Sequence, residues 1–123
     1  MDREAFVAAL NEDLELEYQS MIQYIQHIAT VKGAEYQSTL DELATHVRQE
    51  LDHALTLARQ IDFLQGVPSM RVHEPAPSAA PRQALESDLA LEEAQLARYR
   101  DRVEQANDCL LYTSDAADDL TRV

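Results

Sequence analysis

The sequence has no tryptophan, one cysteine, two glycines and four prolines in 123 residues. Each scarcity removes a class of protein. The single thiol, Cys109, cannot close an internal disulfide, so a disulfide scaffold is excluded and a reducing cytoplasm is expected. So few turn-forming residues argue against a strand-rich sandwich or barrel, which reverses direction every few residues. No apolar run approaches the roughly 18 residues of a membrane span. The opening MDREAFVAAL has neither the basic head nor the long apolar stretch of a secretory leader. Basic residues are scarce too: 10 Lys and Arg stand against 23 Asp and Glu, a formal charge of −13. Nucleic acid is therefore a poor partner, because phosphate binding needs clustered Lys and Arg, and no membrane partner is expected. Cations or another protein surface suit this charge better.

What remains is helix-forming material. Hydrophobic residues make up 46% of the chain, enough for one core at this length, and Ala, Leu, Glu and Gln dominate. The glycines and prolines divide it. Gly33 closes a first helical stretch at about residues 3–31, and Gly66 with Pro68 closes a second at about 35–64. All four prolines fall in GVPSMRVHEPAPSAAP, which reads as an extended connection, and a third helix is expected at about 81–106. Each stretch carries an apolar stripe with alternating spacings of three and four. In the first it is Leu10, Leu14, Glu17, Met21, Tyr24 and Ile28; in the third, Leu85, Leu89, Glu92, Leu96, Tyr99 and Val103. The second runs Tyr36, Leu40, Leu43, Val47, Glu50, Ala54, Leu57, Ile61 and Leu64. The pattern is the packing seam of a helical bundle.

Every stripe is interrupted once near its middle, each time by glutamate. A lone buried carboxylate costs several kcal/mol unless it is paired, protonated or bound to a cation. Glu17 lies 16 residues before Gly33 and Glu50 lies 17 after it, so antiparallel helices joined at that turn bring the two to one level. His53 follows Glu50 by three residues on nearly the same face. A crossover long enough to run the length of a bundle starts the third helix parallel to the second, and Glu92 enters near the same layer. Carboxylates with one imidazole at a common level suit Fe, Mn or Zn better than Ca. The alternative is that the glutamates reach solvent from the stripe edge. His46, one turn before Glu50, reads either as an auxiliary ligand or as a residue flanking the seam. Glu4, Glu12, Asp13 and Glu15 read as surface charge, and the sequence offers no partner for His27 or His73.

These residues make the chain recognisable. Residues 1 to about 108 resemble the bacterioferritin branch of the ferritin-like di-iron superfamily. The matching pieces are ELEYQSMIQY with Glu17 and Tyr24, QELDHA with Glu50 and His53, the helix end IDFLQGVP, and SDLALE ending in Glu92. The resemblance implies an all-α, ferritin-like four-helix bundle, present here as its first three helices and long crossover. It implies a di-iron site in which Glu17 and Glu92 are single carboxylates and Glu50 with His53 a Glu-x-x-His pair. Glu50 and Glu92 would then be the bridging carboxylates. It also implies ferroxidase activity with O2 or peroxide, iron storage, and a homo-oligomer that forms a hollow shell. Tyr24 would lie beside the metals as a hydrogen-bond or electron donor, or be an ordinary core tyrosine. Haem-bearing relatives carry methionine directly after the second-helix glutamate; Leu51 stands there, so no haem is expected.

The end of the chain departs from this pattern. Residues 109–123, CLLYTSDAADDLTRV, lack the stripe and contain neither Glu nor His, where a fourth helix with a second Glu-x-x-His is expected. The string resembles translated sequencing adapter, and a non-native tail carries no functional information. A fragment without the fourth helix is expected to expose an apolar groove and to lack ferroxidase turnover. Two other functions fit the residues: a non-catalytic helical interaction module, with the glutamates setting register, and a non-storing di-metal oxidase or peroxide scavenger.

Overall fold

The computed structural model describes residues 1–109, with only the backbone of Cys109. The elements are α1 (Arg3–Thr30), a 3₁₀ turn (Ala34–Tyr36), α2 (Gln37–Phe63) and α3 (Pro81–Cys109). Three long helices and no strand among the described residues give the expected all-α architecture. None of the helices is long and apolar enough to cross a membrane. The expected foreign tail lies outside the described residues, apart from Cys109 at the end of α3.

Local chemistry sets the helix ends. Asp2 Oδ1 accepts the Ala5 N–H at 2.8 Å, occupying one of the free amides at the start of α1. Gly33 has φ +123°, a region disfavoured for residues with a Cβ, and it turns the chain into the 3₁₀ segment. At the end of α2 the left-handed residue is Gln65 (φ 67°), not Gly66. Gly66 N–H donates to Ile61 O and Gln65 N–H to Asp62 O, both at 2.9 Å, the bond pair of a Schellman cap. Glycine at 66 has a different cause from the one its place after a helix suggests. A Cβ there would come within 2.5 Å of Val7 Cγ1, so the position serves the close approach of the α2 end to α1.

The crossover has no secondary structure, yet its backbone is paired along α1. Asn11 donates to Val67 O at 3.1 Å and accepts from Ser69 N–H at 2.7 Å. Tyr18 donates to Ser69 O, Gln23 accepts from Ala76 N–H, and His27 Nε2 accepts from Ser78 N–H. The contacts climb α1 as the crossover advances, so the connection runs parallel to α1 and delivers α3 parallel to α2.

Helix α1 packs against both other helices, while α2 and α3 make little direct contact. One apolar cluster contains Phe6, Leu10, Leu14, Ala54, Leu57, Ile61, Leu64 and Ala106. A smaller one at the far end contains Val31, Leu40 and Ala84. Between them lies a layer of buried polar groups, Glu17, Ser20, Gln23, Glu50, Asp88 and Gln95. The stripes of α1 and α2 are buried or half-buried along their length. That of α3 is not: Leu89 and Leu96 are 55% and 52% exposed. They line the groove between α2 and α3, and α3 instead buries Ala84, Asp88, Gln95, Arg102 and Ala106.

Candidate metal centre

The antiparallel pairing of α1 and α2 brings Glu17, Glu50 and His53 together. One ligand atom from each lies within 4.8 Å of the others. Glu17 is 0% exposed, and neither of its carboxylate oxygens has a hydrogen-bond partner. His53 Nδ1 lies 3.4 Å from Glu17 Oε1 and 3.6 Å from Glu50 Oε2 but is aligned with neither. Three donor groups are thus gathered at one level, and among them both Glu17 oxygens and His53 Nδ1 make no hydrogen bond. An unpaired buried carboxylate is costly in any fold, and a cation would satisfy all three groups at once.

The surroundings hold Glu50 in place. Gln95 Nε2, on α3, donates to Glu50 Oε2 and to Ser20 Oγ, each at 3.0 Å. Ser20 in turn donates to Leu16 O at 2.9 Å, so all three helices contribute to the orientation of one carboxylate. The Tyr99 ring stands edge-on to His53, with centroids 5.9 Å apart and an interplanar angle of 87°. The Tyr99 hydroxyl is buried without a partner. Sequence reasoning missed Ser20 and Gln95. Their signal is position: each lies one turn after a stripe glutamate, Glu17 and Glu92, at i+3.

Burial raises the Glu17 carboxyl to about 7, with the nearby Asp13 charge adding to the rise and His53 opposing it. Burial works against the charged His53 imidazole, but Glu17 and Glu50 outweigh it and raise His53 to about 9. At neutral pH the metal-free cluster therefore holds protons where a cation would sit.

The other expected site residues are placed differently. Glu92 is not part of the triad; it bonds His46 Nδ1, although both line the same cleft as Glu50 and His53. Tyr24 is fully buried, and its hydroxyl donates to the Asp88 carbonyl at 3.2 Å. Burial first, then the charges of Glu92 and Asp88, raise its pKa. Leu51 is half-exposed on α2 and offers an aliphatic side chain with no lone pair.

Outside the centre one sequence expectation is overturned, and two histidines for which the sequence offered no partner gain one. Asp13 is not surface charge: it is 1% exposed, bonding Arg98 Nε at 2.5 Å and Arg102 Nε at 2.9 Å. His27 has partners, Asp88 Oδ2 at 2.8 Å and the Ser78 N–H at 3.0 Å. Gln23 also donates to Asp88, completing a clasp between α1 and α3. His73 pairs with Glu15 at 2.7 Å, and Glu15 accepts from Ser69 Oγ.

The comparisons with known proteins agree with this geometry. The crystal structure of a ferritin-like, diiron-carboxylate protein from Bacillus anthracis str. Ames superposes with a TM-score of 0.89 at 29% identity. The alignment covers 98% of this chain and 85% of that one. No curated protein matches the sequence at a significant level. The pattern of the Ferritin-like domain matches residues 7–115, and the chain belongs to that family.

Proposed function

We propose that this chain is an iron-binding subunit of the bacterioferritin type, which takes up Fe(II) as substrate and oxidises it with O2 or peroxide. Glu17, Glu50 and His53 are the ligands from α1 and α2, and Glu92 is the carboxylate from α3. The full-length protein assembles as a homo-oligomer and stores the ferric product. The observation that carries the reading is Glu17, fully buried with two unpartnered oxygens beside a second carboxylate and an imidazole. A glutamate that only set helix register would be hydrogen-bonded by its neighbours, whereas Glu17 has the His53 imidazole at 3.4 Å and a hydrogen bond to neither oxygen. The donor set of hard oxygens with one nitrogen suits iron, and the B. anthracis neighbour is itself a diiron-carboxylate protein.

When bound, iron supplies the electron that reduces the oxidant. The chain does the rest. Glu17 and Glu50, both buried, provide negative charge that favours the higher cation charge. Gln95 and Ser20 fix Glu50, so that little of its freedom remains to be lost on binding. His53 gives up its extra proton as its ring nitrogen becomes a ligand.

Stopped-flow oxidation of Fe(II), followed by absorbance on mixing with air, tests the assignment in a version of the protein carrying its fourth helix. Glu50→Ala and His53→Ala are each expected to abolish the fast phase while helical circular dichroism is kept. Unchanged kinetics in both variants would refute the site. Particle mass after iron loading separates storage from oxidation without mineral.

A further inference from the structure

Glu92 reaches the cleft of the metal centre from α3, and the structure shows what holds it there. Its Oε1 accepts a hydrogen bond from His46 Nδ1, on α2. His46 lies one turn before Glu50, and Glu92 lies one turn before Gln95, so the pair His46–Glu92 repeats the pair Glu50–Gln95 one turn along both helices. Helices that otherwise touch little are thus tied by two successive cross-links. A cleft of about 260 Å³ lies on one side of the outer link, walled by Glu50, His53, Gln95 and Tyr99. A second of about 250 Å³ lies on the other, walled by Thr39, Leu43, Asp88 and Leu89. His46 and Glu92 belong to both walls, which makes the pair a bar across the groove.

A carboxylate has two oxygens. With Oε1 taken by the imidazole, the rotation of the Glu92 group is fixed and Oε2 is left over. A glutamate without such a partner keeps the freedom of a long side chain and loses it on ligation. The side chains of both residues are 30% exposed, so an unrestrained Glu92 has solvent to turn into. His46 Nε2 is 4.0 Å from Glu42 Oε1, a largely exposed group, so its inner nitrogen is the one that acts on the cleft.

We propose that His46 is a positioning residue. By holding Glu92 Oε1 it keeps that carboxylate in the cleft walled by Glu50 and His53 and presents the second oxygen to a divalent cation bound by the triad. The proposal rests on the reading of the triad as a cation site and adds to it a residue that no ligand motif contains.

Co(II) added to the metal-free chain is the probe, read by calorimetry and by its visible absorption. His46→Ala is expected to weaken Co(II) binding about 10–100-fold, the usual cost of losing a group that orients a ligand, with no loss of stoichiometry. His46→Asn is expected to recover most of the affinity, because its amide nitrogen stands as many bonds from the backbone as Nδ1. In a Glu92→Ala background, His46→Ala is expected to make no further difference, since its effect passes through Glu92. Unchanged affinity in His46→Ala overturns the proposal. So does a loss that persists in the Glu92→Ala background, which would make His46 a direct ligand. Absence of any Co(II) binding by the unsubstituted chain removes the triad reading itself, and the proposal with it.

Discussion

Raising the pH from 7 to 9 is expected to tighten cation binding to the metal-free protein about a hundredfold. The magnitude follows from the protons at the centre. Glu17 is raised to about 7 and His53 to about 9, and each must lose its proton before its lone pair can serve a cation. Below pH 7 both are protonated, between 7 and 9 only His53 is, and above 9 neither is. The competing proton factor is the product of the two titrations, so affinity falls about a hundredfold from pH 9 to 7 and about fiftyfold more from 7 to 6. The sign is fixed: higher pH favours binding throughout, with a slope that flattens above 9. Calorimetry with Co(II) in buffers of different ionisation enthalpy reads the released protons directly. About 1.5 per cation are expected at pH 7, one from His53 and half from Glu17, falling to about 0.5 at pH 9. Affinity that is flat between pH 7 and 9, or binding without proton release, would refute the assignment of these two groups as ligands.

Glu17→Gln is expected to stabilise the metal-free fold by about 1–3 kcal/mol at pH 8, measured by denaturant unfolding. The raised carboxyl costs stability as pH rises from its unfolded value of 4.5 through about 7, so the gain should vanish below about pH 4, and an equal gain at pH 4 would contradict it. Gly66→Ala is expected to destabilise by about 1–3 kcal/mol, because its Cβ meets Val7 Cγ1 at 2.5 Å; an unchanged melting temperature would show that the two helices separate freely there. The nucleotide sequence of the intact gene is expected to leave the adapter-like codons after Asp108. It should place a Glu-x-x-His about 30–38 residues beyond Glu92, where an antiparallel fourth helix regains the metal layer. A genomic copy that encodes CLLYTSDAADDLTRV would refute this.

The sequence made the apolar seams of α1 and α2 legible, because a stripe interrupted once by glutamate on each of two helices joined by a short turn fixes both pairing and level. On α3 only the end of the stripe, Tyr99 and Val103, packs on the core, while Leu89 and Leu96 face the expected exposed groove. Leu85, Leu89 and Leu96 have the right periodicity, but periodicity reports that a helix has an apolar face and not which neighbour that face meets. The side of α3 turned to α1 is instead Asp88, Gln95 and Arg102, residues that are buried because their partners wait on α1. Those partners are 61 to 89 positions away, as with His27 on Asp88 and Arg102 on Asp13, and no local pattern announces them. Glu92 shows the same limit at the centre: its place on the stripe was readable, while neither reading of His46, auxiliary ligand or residue flanking the seam, contained its bond to Glu92.

The crossover has a consequence for how the protein comes apart. Its amides are protected by side chains of α1, Asn11 for Ser69, Gln23 for Ala76 and His27 for Ser78, and not by a ladder of its own. A connecting segment of this kind ordinarily opens early and independently. Here the protection belongs to another element, so hydrogen exchange at those three amides is tied to the opening of α1, which also carries the contacts of α2 and α3. Among the described residues there is then no peripheral unit to shed. The segment that looks most like a loose strap should instead exchange with the slowest part of the fold.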